Sequence, residues 1–506
     1  MKNNRRKIIY IFLTLAGYTV LLGLLVWAER SREGALIDTL PKALWYSLVT
    51  LTTVGYGDLY PHTFMGKLIG FIFLLLSTGL LALVIGLVAS SLTDRLLPGL
   101  RLWRDRRKRW YVFSCDNAAS RALAGHLDDG LVVFCRSKAA RRSEGGLALR
   151  LAPGTLFART HALAGERVFF AMDKDVLVNE QDALGLQELP IRIYYRGEGL
   201  GESLPRTITP FNEYECCARL YWQTRPWKSG GEHIALLGDG RYARALLDQG
   251  LLTAPPDCAI DLFGDWSDWQ ALHRAVLALP ECAVALRFHV DGWRGSLDLL
   301  QASERVVVCG DDHHANLDAL HQLKLYCPIQ GPIDVRAARG MQDAFFFGQG
   351  EALFTPELVM KQSLNRLARQ MHALYRAQAN APVPPWEGLS DFLKRSNFAA
   401  ADHLLTKVRL LLPEEDIHEL TPDVCGRAAA RFDRLDDAGR ERCRRIEHNR
   451  WVLFHTLYNW CYAPVRNNAA RNHPLMVPFE ALDESERLKD DNAWLLLHAL
   501  VNQEKP

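Results

Sequence analysis

Between residues 42 and 58 the chain reads KALWYSLVTLTTVGYGD, and the last seven residues, Thr52, Thr53, Val54, Gly55, Tyr56, Gly57 and Asp58, offer a chemistry of main-chain oxygens. Stripping water from a potassium ion is costly unless a comparable cage of oxygens replaces it. Successive backbone carbonyls turned toward one axis supply such a cage. They face one way only if alternate residues take conformations of opposite hand, and Gly55 and Gly57 reach positive φ without a Cβ clash. The Thr53 hydroxyl is expected to add an oxygen at the inner end. Tyr56 is expected to point outward and brace against Trp45 and Tyr46, with Asp58 hydrogen-bonded into that cuff. One chain supplies only a quarter of such a ring, so four copies are required.

Such a loop needs walls. Ile8 to Ala28 and Leu68 to about Leu92 are almost wholly apolar, each long enough to cross about 30 Å of hydrocarbon as a helix. The first run exceeds the apolar region of a signal peptide and no small-residue cleavage site follows it. Lys2, Arg5, Arg6 and Lys7 precede the first run, and Arg95, Arg101, Arg104, Arg106, Arg107, Lys108 and Arg109 follow the second. The positive-inside rule then places both termini in the cytoplasm of a multi-pass protein of the plasma (inner) membrane. The second basic cluster is also a candidate contact for anionic membrane lipid. The segment between the runs is too short and hydroxyl-rich to cross, so it reads as re-entrant. Gly79 and Gly86 in the second run are candidates for a gate hinge or for close helix packing. Trp45 to Asp58 with its two flanking spans resembles the two-helix potassium-channel pore module, which implies a homotetramer with K+ as the permeant ion. The selectivity mechanism is the one already known for filters of this type.

At 506 residues the chain is long enough for three or four domains. With 60 basic and 58 acidic residues, the net charge of +2 gives no reason to expect nucleic acid as a partner. All eleven cysteines lie between Cys115 and Cys461 without a CxxC pair, which indicates a reducing compartment and no metal site. The adjacent Cys216 and Cys217 read either as a redox pair or as buried apolar thiols.

From Trp110 strand and helix patterns alternate: strands at Trp110 to Ser114, Leu131 to Cys135, Val168 to Ala171 and Ile191 to Tyr195, with a helix at Ala118 to Leu127. About 120 residues later a second copy begins at His233 with HIALLGD, CAIDLF, ALRFHV, RVVVCG and PIDVRA. Two such units after a two-helix pore resemble the paired regulator-of-potassium-conductance domains, which are Rossmann-like and form a ring. Gly238, Asp239, Gly240, Arg241, Tyr242 and Ala243 fall between strand and helix and match the GxGxxA dinucleotide fingerprint, with Asp261 or Asp265 as the acidic ribose partner. The equivalent turn of the first copy, Cys115 to Ser120, has no glycine, so that domain reads as a structural partner. The run Asp311, Asp312, His313, His314 reads as a helix cap and resembles the equivalent loop of conductance-regulator domains.

Ala379 to Pro385 is rich in alanine and proline, a domain boundary. Helical patterns follow over Leu435 to Tyr462 and Asp483 to Val501, and nothing there pairs a nucleophile with a base. Glu447, His448, Trp451, Trp460, Tyr462, His473, Pro474, Pro478 and Phe479 resemble the ryanodine-receptor repeat over Pro385 to about Val501. Asn459 departs from that pattern, where glycine commonly precedes the tryptophan. His448, Trp451, Trp460 and Tyr462 read either as aromatic packing or, with Arg444, Arg445 and Arg450, as a pocket for a nucleotide-type signal.

The expected fold is an α-helical two-span tetrameric pore with a re-entrant loop, two α/β doubly wound Rossmann-like domains and a mainly α-helical C-terminal domain. The boundaries are 1–95 for the pore, 96–109 for a basic linker, 110–230 and 231–378 for the Rossmann-like domains, and 379–506 for the helical domain. The expected function is potassium conduction rather than catalysis. A small-molecule nucleotide of the NAD(H) or adenine type acts on the gate from the second Rossmann-like domain or the C-terminal one. The alternatives are a K+-efflux effector answering a signalling nucleotide, a membrane-tethered nucleotide-binding enzyme and a non-conducting subunit.

Overall fold

The computed structural model describes residues 2–30, 33–91, 97–137, 142–143, 146–160, 165–199, 205, 207–228, 231–279, 284–338, 343–378 and 382–501. The side chains of residues 2–15 and of several positions beyond residue 75 in the third helix, Gly79 among them, lie outside the described set. The chain divides into two compact units, Met1–Arg106 and Arg107–Pro506.

The first unit consists of α1 (Lys2–Glu29), α2 (Leu40–Leu51) and α3 (Phe64–Ser91), followed by a short helix, Leu97–Arg104. The first expected span falls within α1 and the second, as far as Ser91, within α3; each helix has 28 residues and so is about 42 Å long at 1.5 Å per residue, and Leu92 lies outside the described residues. Among the described residues, no helix is long and apolar enough to cross a membrane; the start of the first apolar run and much of the second lie outside the described side chains. The short α2 opens at Thr39 with proline in its first turn and closes at Thr52, leaving the next residues free of helix. Leu22, Leu25, Ile37, Ala43, Ile69 and Phe73 form the core that ties the three helices together. Fully buried Glu29 at the end of α1 accepts from the His62 and Thr63 amides at 2.9 Å each and from the Thr63 hydroxyl at 2.7 Å, fixing the start of α3.

The second unit carries two open sheets. The first contains β1 (Arg109–Phe113), β2 (Gly130–Phe134), β3 (Arg142–Ser143), β4 (Gly146–Ala148), β5 (Arg167–Ala171), β6 (Arg192–Arg196) and β7 (Ile208–Phe211). Its order is β3-β4-β2-β1-β5-β6-β7, and β3–β4 is its antiparallel pair. The second contains β8 (His233–Leu237), β9 (Cys258–Phe263), β10 (Val284–His289), β11 (Arg305–Val308), β12 (Ile333–Arg336) and β13 (Phe345–Phe347), ordered β10-β9-β8-β11-β12-β13 with parallel pairs. Leaving out β3, each follows the doubly wound order in which the first and fourth strands diverge at a switch point. The central strands are buried along their length, which is why they read as apolar runs rather than alternations. The edge strands β7 and β13 escaped the sequence reading: one contains Pro210, and the other is three phenylalanines with no period.

Helices make up the rest. Leu435 to Tyr462 is helical only over Asp437–Leu457, where Asp436 caps the Gly439 amide at 2.8 Å, and the closing segment splits into Glu484–Lys489 and Asn492–Val501. The helix Arg366–Gln378, assigned from sequence to the second Rossmann-like domain, shares Ala368 and Met371 with Ala401 of the helix Asp391–Asp402 in one apolar cluster. A larger core runs from Phe113 and Phe170 through Trp222 and Leu236 to Leu453 and Phe454, so both sheets and the C-terminal helices bury one continuous surface. Cys216 and Cys217 sit inside it, and burial pushes both thiols up to about 12, which removes the thiolate a redox pair needs.

Candidate functional site

The loop after α2 has the alternation its carbonyls require. Thr53, Gly55 and Gly57 take φ of 55°, 60° and 74°, three left-handed positions two residues apart. Thr53 joins the two expected glycines, although a side chain there costs roughly 1–2 kcal/mol. The Thr53 amide donates to the Thr50 carbonyl at 3.1 Å, and the Val54 and Gly55 amides donate to the Val49 carbonyl at 3.1 and 3.3 Å. The donors are thus turned back onto α2. Among the described residues, no hydrogen bond reaches the carbonyl oxygens of Thr53, Val54, Gly55 or Tyr56.

Trp45 braces the loop from α2. Its ring stacks on Tyr56 with centroids 6.1 Å apart and planes 2° apart, and its Nε1 donates to Asp58 Oδ2 at 2.9 Å. Tyr46, expected in the same cuff, packs instead against α3, one helical step round from Trp45, where a Cβ on Gly70 would lie 3.0 Å from its hydroxyl. The close approaches of α3 are made at Gly70 and at Gly66, which faces Glu29, neither singled out from sequence. Among the described residues, a Cβ on Gly86 would meet nothing within 4 Å. Gly79 lies in α3 outside the described side chains.

In the second sheet the turn of Gly238 to Ala243 lies at the switch point between β8 and β11. Gly238, at φ 125°, lets β8 pass the β11 exit, where a Cβ would lie 2.9 Å from the Cys309 carbonyl. The place a phosphate would take is filled from within. Asp311 accepts from the Arg241 and Tyr242 amides at 3.2 Å each, and a Cβ on Gly240 would lie 2.4 Å from its carboxyl carbon. Helix N-termini favour such a negative charge. Arg336 fixes this carboxylate's backbone, donating to the Asp311 carbonyl at 2.6 Å while lying 3.6 Å over the Tyr242 ring. Ala243 is fully buried, consistent with close helix–sheet packing.

Neither expected ribose partner faces this turn freely. Asp261 is fully buried in mid-strand, paired with His233 and with His289 at 2.7 Å, because register sets it between Ala235 and Arg287. Asp265 caps the Ser267 amide at 3.1 Å, and its own amide donates to Asp239 at 2.6 Å. Asp312 caps the helix His313–Tyr326 through the Ala315 amide at 2.8 Å, and among the described residues no group of three potential ligands is placed to hold a metal. In the first sheet Asn117 caps its helix through the Ser120 amide at 2.8 Å.

The five C-terminal candidates do not converge on one cavity. Arg444 is engaged by Asp491 at 2.8 and 2.7 Å, His448 meets the Val477 carbonyl at 2.8 Å, and Trp451 packs on His455 with centroids 3.8 Å apart. Tyr462 is exposed. Trp460 is buried, stacked on Phe392 at 4.9 Å, and lines a cavity of about 900 Å³. Helical spacing points Arg444, His448 and Trp451 toward the segment that returns along their own helix, whereas Trp460 lies beyond its end. Asn459 takes φ 57°, the left-handed conformation that asparagine tolerates in place of glycine. Burial holds His455 down to about 3, so its ring is neutral.

Residues 8–94 match the family described as ion channel, Ion_trans_2. The chain is 33% identical over 81 residues to the human potassium voltage-gated channel subfamily A member 6, covering 16% of this chain and 15% of that one. It is 37% identical over 65 residues to the potassium voltage-gated channel protein Shal of Drosophila melanogaster, covering 13% of this chain and 11% of that one. The chain therefore spans a small part of these relatives' length. A solved structure of GsuK bound to ADP is 16% identical with a TM-score of 0.36 over 70% of this chain and 99% of that one, a likeness too slight to carry an argument.

Proposed function

We propose that the chain is one subunit of a homotetrameric, potassium-selective channel of the plasma (inner) membrane, with both termini cytoplasmic and a ligand-biased gate. The observation that carries this reading is the alternation at Thr53, Gly55 and Gly57, with four successive carbonyls that accept no hydrogen bond among the described residues. A ring of four such loops replaces the water lost by the ion, the arrangement that gives carbonyl filters their selectivity. The ion-channel match over residues 8–94 and the potassium-channel relatives support the same reading. Residues 1–95 form the pore, 96–109 the linker, and the two Rossmann-like parts with the C-terminal helices form the regulatory portion. A ligand there shifts the gate only by binding the open and closed states with different affinity.

The test is purified protein in lipid vesicles loaded with potassium or sodium, with native mass spectrometry of the same sample. Efflux of potassium over sodium from a tetrameric assembly is expected. A monomer or dimer, or equal efflux of the two ions, would overturn the reading.

A further inference from the structure

We propose that the cavity of about 900 Å³ lined by Trp460 binds a nucleoside phosphate, and that this is where the gate-biasing ligand acts; the inference rests on the channel reading. Its walls include the helices Glu213–Thr224, Arg241–Thr253, Ser267–Leu272 and Asp391–Asp402, the end of the helix Asp437–Leu457 and the loop that follows it, and Glu198 after the first sheet. A cavity of this size suits one small organic ligand.

The charge on these walls is sorted. Arg219 is tied to Asp402 at 2.6 Å, Arg395 to Glu215, and Arg244 lies 3.6 Å from Asp268. Among the described residues, three further guanidiniums form no close ion pair with a carboxylate, although Glu198 and Asp311 lie near enough to favour the charge of Arg241. Arg466 donates to Asn468 at 3.0 Å, Arg471 donates to the Tyr458 carbonyl at 2.9 Å, and Arg241 lies 5.7 Å over the Tyr214 ring. Guanidinium forks engaged only by neutral acceptors keep donors suited to phosphate oxygens.

The same cavity is lined by the stacked pair Phe392 and Trp460 and by Tyr214, planar side chains against which a purine or pyrimidine packs. Glu198 and Asp391 also line it. Carboxylates repel a bare anion but accept from ribose hydroxyls and ring amino groups, so the lining favours a nucleoside phosphate over inorganic phosphate. The phosphate place at the Gly238 turn is already held by Asp311, so a phosphate bound to this part of the chain needs a different seat. Because its walls span the second sheet and the C-terminal helices, a bound ligand ties those parts together.

The test measures binding of ADP, adenosine and pyrophosphate to the full-length protein in lipid nanodiscs by titration calorimetry. ADP is expected to bind at least tenfold more tightly than either fragment. R241A and R466A are each expected to weaken ADP at least threefold and together at least tenfold, while R427A, on an exposed ion pair elsewhere, changes nothing. Arg471 is left in place because its backbone is left-handed. Ligand-free melting temperature identifies any variant that fails to fold, and either single variant then carries the test. Silence from all three probes, pyrophosphate as tight as ADP, or ADP affinity indifferent to both arginines would overturn the proposal. Potassium efflux without ligand, read on the same preparation, separates the outcomes. Selective efflux with no ADP binding sinks the cavity alone, and ADP binding without selective efflux sinks the channel reading.

Discussion

Replacing Gly55 by L-alanine isolates the backbone requirement of the filter. At φ 60° the added methyl meets no atom of the described residues within 4 Å, so the penalty is conformational rather than steric. An L residue in the left-handed region costs roughly 1–2 kcal/mol, and four copies in one ring bring this to about 4–8 kcal/mol. A penalty of that size exceeds what one ring of carbonyl contacts can absorb without turning away from the axis. Potassium efflux from vesicles containing G55A should therefore fall at least tenfold, with part of the tetramer lost on native gels. The same residue introduced as D-alanine, which takes positive φ without penalty, should conduct like the parent. If L- and D-alanine behave alike, the left-handed geometry is not what the pore depends on.

Three further outcomes follow from named contacts. Asp402→Ala leaves Arg219, 4% exposed, without its carboxylate; breaking a buried pair from one side costs about 3–5 kcal/mol, so thermal unfolding of the 107–506 unit should come several degrees earlier. Burial, reinforced by Glu447, raises the Asp490 carboxyl from 3.8 to about 7. The folded state thus keeps a proton that the unfolded chain releases, and stability declines as pH rises from about 4 through about 7, by up to about 4 kcal/mol; Asp490→Asn should flatten that slope in denaturant titrations at pH 4.5 and 8. Asp311→Ala frees the amides of Arg241 and Tyr242 and should create a pyrophosphate site that the parent lacks; calorimetry showing none would mean that the carboxylate is not standing in for an anion.

Much of this was legible because it is local. The TTVGYGD string announces its turn by its glycines, and the buried strands announce themselves as short apolar runs between turn residues. Thr53 was not foreseen as left-handed, since nothing in a threonine signals a conformation it disfavours and only the alternation on either side imposes it. The occupied phosphate place was invisible because Asp311 lies about seventy residues beyond the turn it caps and reaches it only through the β8–β11 pairing. Asp261 was one of two candidate ribose partners, yet register buries it between two histidines. The cavity at Trp460 draws on residues more than two hundred positions apart, and the helical period of Arg444 to Trp451 pointed to a different surface.

The most direct test of the carbonyl filter is the reversal potential of the purified protein in a planar bilayer with potassium on one side and sodium on the other. A potential displaced far toward the potassium equilibrium value is expected. A potential near zero, with current flowing equally well in either direction, would contradict the claim that main-chain oxygens of Thr53 to Tyr56 replace the water of one particular cation.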